Sequence, residues 1–280
     1  MMEKQQKRLI ALEKELRAAS LREKKYVKEM RERGVAPGGW KQKLESRIPE
    51  RVRTGLESAF AKAFSLVFTR GRGVIELGYN KESILEDHAI LDFAFRTKCG
   101  RRELREIGRS ANRGNYRNMA LTTAEGIGLG ALGIGLPDLV IFIGVLLRGV
   151  YETALRYGYD YESRTEQLLI LCMMQASLSS GEEFERLHRE IGERIAEPQS
   201  EVTEADFEEQ IRKTAKTFAT DMLLLKFIQG LPVVGILGGA ANPVYYKKVL
   251  HYVQMCYHKR YLQKLYWEQD SSAYEEGDEA

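Results

Sequence analysis

The sequence predicts an all-α protein, a multi-helix bundle built around two glycine-rich helical hairpin segments. Apolar residues recur every three to four positions through most of the chain, whereas the alternating pattern of a half-buried strand is scarce. Helix-start signals precede several of these stretches, for example Thr203 and Asp206 ahead of Phe207. With 44% apolar residues in a chain of 280, there is enough material for a full-sized core.

We expect four segments along the chain. The first is rich in charged helix formers with a thin stripe of leucines, which is typical of an arm or a surface helix. Glycines and Pro37 then interrupt the helical pattern. The last 13 residues carry six acidic side chains and no basic one. The expected boundaries are 1–33 for the charged N-terminal helical arm, 34–40 for a linker, 41–267 for the helical domain and 268–280 for an acidic tail.

The net charge of +3 conceals strongly basic stretches. Residues 1–53 contain 16 Lys and Arg against 8 Asp and Glu, and residues 96–117 contain eight against Glu103 and Glu106. Such blocks usually form solvated faces, and otherwise they indicate anionic partners such as lipid headgroups or nucleic acid. The second stretch has only Tyr116 as a stacking aromatic and no nucleic-acid module is visible, so we do not expect a nucleic-acid partner.

Two segments, 119–158 and 228–265, combine glycine with apolar residues. Small side chains three or four positions apart let two helix backbones approach closely. Pro137 interrupts the first segment, so we expect a hairpin of two helices there. The glycines expected at these close contacts are Gly126, Gly130, Gly133 and Gly135 in the first segment, and Gly235 and Gly239 in the second.

The apolar centre of the first segment is too short to cross a bilayer. It runs for nine residues, 139–147, between Asp138 and Arg148, whereas a spanning helix needs about 20. Shallow insertion, or attachment by a basic and aromatic surface, avoids that limit. Such a mixture occupies the later part of the second segment, and it fits either a membrane or partner face or a core helix with snorkelling lysines. The residues of this face would be Tyr245, Lys247, Lys248, Tyr252, Lys259, Arg260 and Trp267.

Polar residues around the glycine-rich segments are the candidates for chemistry. Glu125 and Asp138 flank the first glycine run, and burial together would separate their pKa values as acid and base catalysis requires. Asp138 follows a proline at an expected helix start, however, so a cap on backbone N–H groups is favoured over a salt bridge to Arg148 and over catalysis. Asn242 would add a polar contact to a pocket between the two segments.

A turn is expected after the first glycine-rich segment. Gly158 is the residue expected to end one helix there, because glycine tolerates the left-handed backbone of a helix end. Asp160 is expected to cap the next helix, which would begin near residue 162.

Histidines give two further patterns. His251 and His258 lie seven positions apart on one helix face with Gln254, which suits a ligand or anion site but more often marks a solvated stripe. His88 and His188 fall in register with apolar neighbours, so we expect both at the edge of the core, each held by one hydrogen bond.

No motif predicts a cofactor or a metal. Cys99, Cys172 and Cys256 lie more than 70 residues apart, so we expect three buried, reduced thiols. HExxH, paired CxxC and GxSxG are missing from the sequence. The N-terminal residues lack the apolar run of a secretory signal, so we expect a cytoplasmic protein, free or peripheral at the inner membrane face.

Several short motifs occur in a characteristic order along the chain. They are Arg47 to Val52, Gly135 to Asp138, Arg148, Tyr157 to Asp160, Pro232 to Gly235, and Asn242. In this order they resemble the EcsC protein family over residues 40–266. The resemblance implies an intracellular helical protein that works near the membrane, and it supplies no catalytic mechanism.

These observations lead to one functional hypothesis and one alternative. The first is peripheral association with the membrane inner face or with a membrane-protein partner, such as a transporter, without an established reaction. The alternative is a soluble enzyme, or a small-molecule or lipid-binding protein, with its pocket between the glycine-rich segments. Whether the chain is an enzyme stays open at this point.

Overall fold

A computed structural model describes residues 2–34, 48–70, 79–113, 136–197, 201–229 and 241–275. The regular structure in these ranges is entirely helical, which confirms the predicted all-α class. Nine helices lie within them, and most pack along their length against two or more neighbours. They are α1 (Met2–Gly34), α2 (Glu50–Arg70), α3 (Lys81–Lys98), α4 (101–113), α5 (Leu136–Arg156), α6 (Arg164–Leu178), α7 (Gly181–Ala196), α8 (Glu204–Gln229) and α9 (Ala241–Glu275).

Local sequence signals fix several helix ends. At the start of α8, the Thr203 hydroxyl accepts the Asp206 N–H at 3.1 Å and the Asp206 carboxylate accepts the Thr203 N–H at 3.3 Å, a reciprocal capping box as predicted. α5 ends at Arg156, and just beyond it Gly158 has a left-handed φ of 75°, while the Tyr159 N–H returns to the Ala154 carbonyl at 3.0 Å. Gly158 therefore stops the helix as the sequence predicts.

The first helix packs closely on the rest of the protein. α1 lies against α9 and α7, and its Leu12 is fully buried. Glu15 is buried beside it, where the Nε atoms of Arg101 and Arg105 on α4 each lie 2.8 Å from its Oε1. A buried carboxylate requires such cationic partners. The charged helix is thus tied to the bundle by apolar contact and by ion pairs.

In the core, α8 packs against α2 and α6, and a cluster of aromatic rings connects it to α9. Phe218 on α8 is fully buried, and its ring centroid lies 5.8 Å from that of Phe60, 5.4 Å from that of Phe64 and 6.5 Å from that of Tyr245. Edge-to-face and offset contacts at these distances stabilise aromatic clusters. The cluster joins α2 and α9 through one side chain of α8.

α5 and α9 approach closely at Gly149. A Cβ built on this glycine would lie 2.9 Å from Cζ of the buried Tyr246 and nearer still to its hydroxyl, so the contact has no room for a side chain. Small residues at a helix crossing allow such an approach. Gly149 is not among the glycines singled out above for close packing, all of which lie outside the described ranges, so the close packing predicted for them stays a prediction.

Several predictions fall on residues outside the described ranges. These are the 34–40 linker beyond Gly34, the glycine-rich hairpin segments around 126–135 and 235–239, and the end of the acidic tail. By contrast, Cys99, Cys172 and Cys256 are buried free thiols, as predicted. Among the helices that the structure describes, none is both long enough and apolar enough to cross a membrane.

Candidate functional site

A surface cavity of about 560 Å³ lies between α7 and α9 and is closed at one side by α1. α7 supplies an apolar wall through Ile191 and Ile195, which share a helix face because they are four residues apart. The opposite wall comes from successive turns of α9. Four Arg or Lys residues and one carboxylate line the cavity. We call it the basic groove, and its principal residues are Glu23, Arg189, Lys259, Arg260, Lys264 and Trp267.

A chain of hydrogen bonds forms one side of the groove. His188 Nε2 lies 3.3 Å from Glu23 Oε1, and His188 Nδ1 lies 2.8 Å from the Tyr252 hydroxyl. A carboxylate can only accept, so Nε2–H donates to Glu23, and Nδ1 shares a hydrogen bond with the Tyr252 hydroxyl. Tyr252 is 0% exposed and packs against the rings of Tyr26 and Phe184. The carboxylate, imidazole and hydroxyl occur in the order of a nucleophilic triad, but a substrate cannot reach this hydroxyl.

Glu23 also accepts a hydrogen bond from Lys259, whose Nζ lies 2.6 Å from Oε2 of the carboxylate. Burial raises the pKa of the Glu23 carboxyl, but the hydrogen bonds from His188 and Lys259 outweigh burial and hold the pKa below its ordinary value of 4.5. Glu23 is therefore ionised at neutral pH, and it joins α1 to both walls of the groove.

We expect E23Q to lower the free energy of unfolding by about 1 kcal/mol at neutral pH, a value that allows for the solvent around the groove. Because the folded-state pKa of Glu23 lies below the unfolded-state pKa, its stabilisation is present above about pH 4.5 and is lost as pH falls through the folded-state pKa. Urea unfolding of wild type and E23Q between about pH 6 and about pH 3 measures the difference.

K259M provides the comparison for this prediction, since it removes one of the two groups that lower the pKa of Glu23. In a K259M background the effect of E23Q should be smaller and should depend less on pH. A difference between wild type and E23Q that stays constant or grows as the pH falls would contradict the assignment.

Arg260 forms an ion pair with the buried carboxylate of Glu166. Its Nη1 lies 2.8 Å and 2.9 Å from the two oxygens of Glu166, and its guanidinium stacks 4.0 Å from the ring centroid of Tyr159. The Tyr257 hydroxyl donates to Glu166 Oε1 at 2.6 Å. Burial raises the pKa of Tyr257 well above 10, so the phenol keeps its proton for this bond. The charge of Arg260 is thus balanced inside the fold.

Three exposed residues of the groove lining, Arg189, Lys264 and Trp267, form what we call its mouth. Trp267 is 65% exposed there. Arg189 forms no ion pair or hydrogen bond within the described parts of the chain, and Lys264 is 3.9 Å from Glu268 with its side chain 55% exposed. Since Lys259 and Arg260 already have carboxylate partners, Arg189 and Lys264 are the cations best placed to meet a partner at this mouth.

The groove offers binding groups rather than a reacting group. Cys256 reaches its wall, but burial raises the pKa of this thiol to about 12, so the nucleophilic thiolate is not populated at neutral pH. Within the described ranges, no three His, Cys, Asp or Glu side chains come together as metal ligands. The arrangement can hold an anion beside an apolar surface.

The structure places the predicted aromatic and basic face of α9 partly inside the protein. Tyr245 and Tyr252 are both 0% exposed and belong to the core, because α8 and α1 cover them. Lys247 is exposed, and Lys248 is half-buried with its Nζ 3.3 Å from Asp221. Lys259, Arg260 and Trp267 lie together in the basic groove. The surface that this helix presents is therefore narrower than the sequence pattern suggests.

Asp160 does not cap the helix that follows it. α6 begins at Arg164, and its cap is Ser163, whose hydroxyl accepts the Glu166 N–H at 3.2 Å. Asp160 is exposed instead, accepting the Glu162 N–H at 3.1 Å and pairing with Lys81 at 3.2 Å. The aspartate supports the turn, and the serine, which is also a good cap residue, lies directly before the helix.

The remaining candidates stay largely outside the described part of the chain. Glu125 lies in an undescribed range, and the side chains of Asp138 and Asn242 are not described. The backbone places Asp138 in the first turn of α5 and Asn242 in that of α9. Arg148 is half-buried on α5. The pocket hypothesised between the glycine-rich segments therefore stays a hypothesis.

Other groove residues were not found from the sequence. Glu23, Arg189 and Ile191 come from helices more than 50 positions away from the α9 wall, so no local spacing could join them. His188 was expected to have one hydrogen-bond partner and has two, Glu23 and Tyr252. One sequence signal was available for Glu23. It is an acidic residue between Arg22 and Lys24 in the middle of a basic helix.

The fold and the groove define a class of protein: an α-helical bundle with a cationic cleft on its surface. The family comparison gives the particular family, since the model of the EcsC protein family matches residues 13–262. The chain belongs to this family. The match begins inside α1, earlier than the start near residue 40 that the motifs suggest. No curated protein and no solved structure matches the chain.

Proposed function

We propose that the protein docks peripherally on an anionic membrane surface through the mouth of the basic groove. The observation that carries the proposal is that the exposed Trp267 lines one groove together with the cations Arg189 and Lys264 and an apolar wall. Tryptophan prefers the boundary between headgroups and acyl chains, and basic side chains near it attract anionic lipid. Membership of the EcsC family is compatible with this location.

The charge around the groove supports an anionic partner. Lys259 and Arg260 are neutralised by Glu23 and Glu166, so the net charge of the lining comes chiefly from Arg189 and Lys264. Each basic residue near an anionic membrane contributes about 1 kcal/mol. Two such residues and one tryptophan give weak, reversible binding, which suits peripheral association better than insertion.

The test is vesicle flotation of the full chain with phosphatidylcholine vesicles, with and without about 30% phosphatidylglycerol. We expect the wild type to float only with the anionic vesicles, and less so at high salt because screening weakens the attraction. R189Q/K264Q should lower the partition coefficient by roughly tenfold or more, and W267A should lower it at equal charge.

Matched controls separate the groove from the rest of the surface. R51Q/K62Q removes two exposed charges from α2, and F93A removes an aromatic side chain that is 69% exposed on α3. Both should float like the wild type. If these controls lose binding and the groove variants keep it, or if the wild type never floats with anionic vesicles, the proposal fails. Recovery of an integral membrane protein without lipid binding would instead favour a protein partner.

A further inference from the structure

A second cavity, separate from the basic groove, lies between α1, α4 and α9 and has a volume of about 450 Å³. It shares no lining residue with the groove. Arg22 comes from α1, Arg105 and Arg109 come from α4, and His251 and His258 come from α9. We call it the arginine cavity. The two histidines noted from their spacing in the sequence thus reach one site.

The charges of the lining leave a net positive site. Glu15 is the one carboxylate among the residues lining it, and the Nε atoms of Arg101 and Arg105 each lie 2.8 Å from this group. Arg109 is exposed and contacts Glu106 at 3.3 Å. Arg22 has no ion pair or hydrogen bond anywhere in the described ranges. Arg105 pairs with Glu15 and Arg109 with Glu106, so Arg22 is the arginine of the lining that has no carboxylate partner in the described ranges.

His258 adds a neutral donor. Its Nδ1 is buried against Gly108 and has no hydrogen-bond partner among the described residues. A buried N–H without an acceptor is costly, so the proton belongs on Nε2 of this side chain, which lines the cavity. Burial lowers the pKa of His258 to about 4, and the ring is therefore neutral at pH 7. It offers one N–H without adding charge.

Contacts from Gln254 and Tyr157 fix the cavity wall beside His258. The Gln254 amide donates to the Gly108 carbonyl at 3.3 Å, joining α9 to α4. The Tyr157 ring packs 5.8 Å from the His258 ring, and burial raises the pKa of this phenol, which stays protonated. Ala19 and Met255 add apolar surface to the cavity. The site therefore has both polar donors and room for carbon atoms.

We propose that the arginine cavity binds a phosphate monoester of a small organic molecule. Guanidinium groups bind phosphate oxygens in a bidentate manner, and three of them line the cavity against one carboxylate. The volume exceeds that of a bare phosphate ion and falls in the range of small-molecule sites. The same chemistry is present in a soluble metabolite and in the headgroup of phosphatidic acid, so the test includes both.

The test is calorimetric titration of the full chain with inorganic phosphate, glycerol 3-phosphate and dihexanoyl phosphatidic acid. We expect saturable binding of glycerol 3-phosphate that is tighter than binding of inorganic phosphate. Glycerophosphocholine, which carries no net charge, should not bind. Stronger binding of the phosphatidic acid than of glycerol 3-phosphate would identify a lipid as the source, and the reverse would identify a soluble ester.

Variants of exposed arginines test the site without disturbing the core. R22Q should weaken binding of glycerol 3-phosphate by about tenfold or more, since it removes a charge-assisted contact. R17Q removes an exposed arginine of the same helix that lies outside the cavity lining, and it should bind as the wild type does. In NMR spectra, the Nε2 signal of His258 should move on binding in the wild type.

The outcomes that overturn the proposal are specific. The first is the absence of saturable binding of any phosphate monoester to the wild type. The second is an equal loss of affinity in R22Q and R17Q, because it would mean that general surface charge causes the binding. The result does not depend on membrane docking, because the ligands are soluble and the groove residues Arg189, Lys264 and Trp267 are unchanged. Failure of one proposal therefore leaves the other standing.

Discussion

Replacement of Glu166 by alanine is expected to lower the free energy of unfolding by about 3–5 kcal/mol. The side chain of Glu166 is 8% exposed and that of Arg260 is 18% exposed, so the variant leaves a mostly buried guanidinium without its counter-charge. It also leaves the Tyr257 hydroxyl without the acceptor that lies 2.6 Å away. Chemical denaturation followed by circular dichroism measures the change.

A second substitution distinguishes the charge effect from lost packing. E166L/R260M replaces the pair by apolar side chains of similar size and should recover most of the stability lost in E166A. E29A removes an exposed carboxylate that pairs with Arg33, and it should leave unfolding close to that of the wild type. If E166A unfolds like E29A, Glu166 does not hold Arg260 in the way described.

Replacement of Phe218 by alanine is the other change with a large expected effect, a loss of about 3–5 kcal/mol. Phe218 is fully buried and contacts rings from α2 and α9, so the variant opens a cavity where three helices meet. The surrounding rings cannot collapse into the gap without moving their helices. The midpoint of urea unfolding should fall accordingly.

Two controls accompany this prediction. F218L keeps most of the volume and should cost less than about 1.5 kcal/mol. F93A removes the same number of atoms from a ring that is 69% exposed and should change stability by no more than about 0.5 kcal/mol. Equal effects of F218A and F93A would mean that the aromatic cluster does not stabilise the fold.

The sequence predicted the helical class and several helix ends because those depend on nearby residues. Thr203 and Asp206 are three positions apart and form their capping box without help from the rest of the fold. Gly158 ends α5 for the same local reason. Asp160 was assigned the wrong role because it and Ser163 are both good caps, and only the observed start of α6 decides between them.

The candidate site was harder to predict because it depends on which helices become neighbours. The pattern of Tyr245, Tyr252 and Trp267 along α9 is the same whether a ring faces lipid, solvent or another helix. Packing of α1 and α8 buries the rings of Tyr252 and Tyr245, whereas Trp267 is exposed. The carboxylate partners of Lys259 and Arg260 also lie far away in sequence, at Glu23 and Glu166.

The contact between α1 and α9 joins the first and last described helices, and the ion pair between Glu23 and Lys259 closes a loop of 236 positions. Closing so long a loop has a large entropic cost, and contacts so distant in sequence slow folding. During synthesis, α1 leaves the ribosome long before its partner exists. The two cavities that α1 borders can therefore be completed only after α9 has been made, and a nascent chain that stops before α9 lacks one of the helices that cover α1.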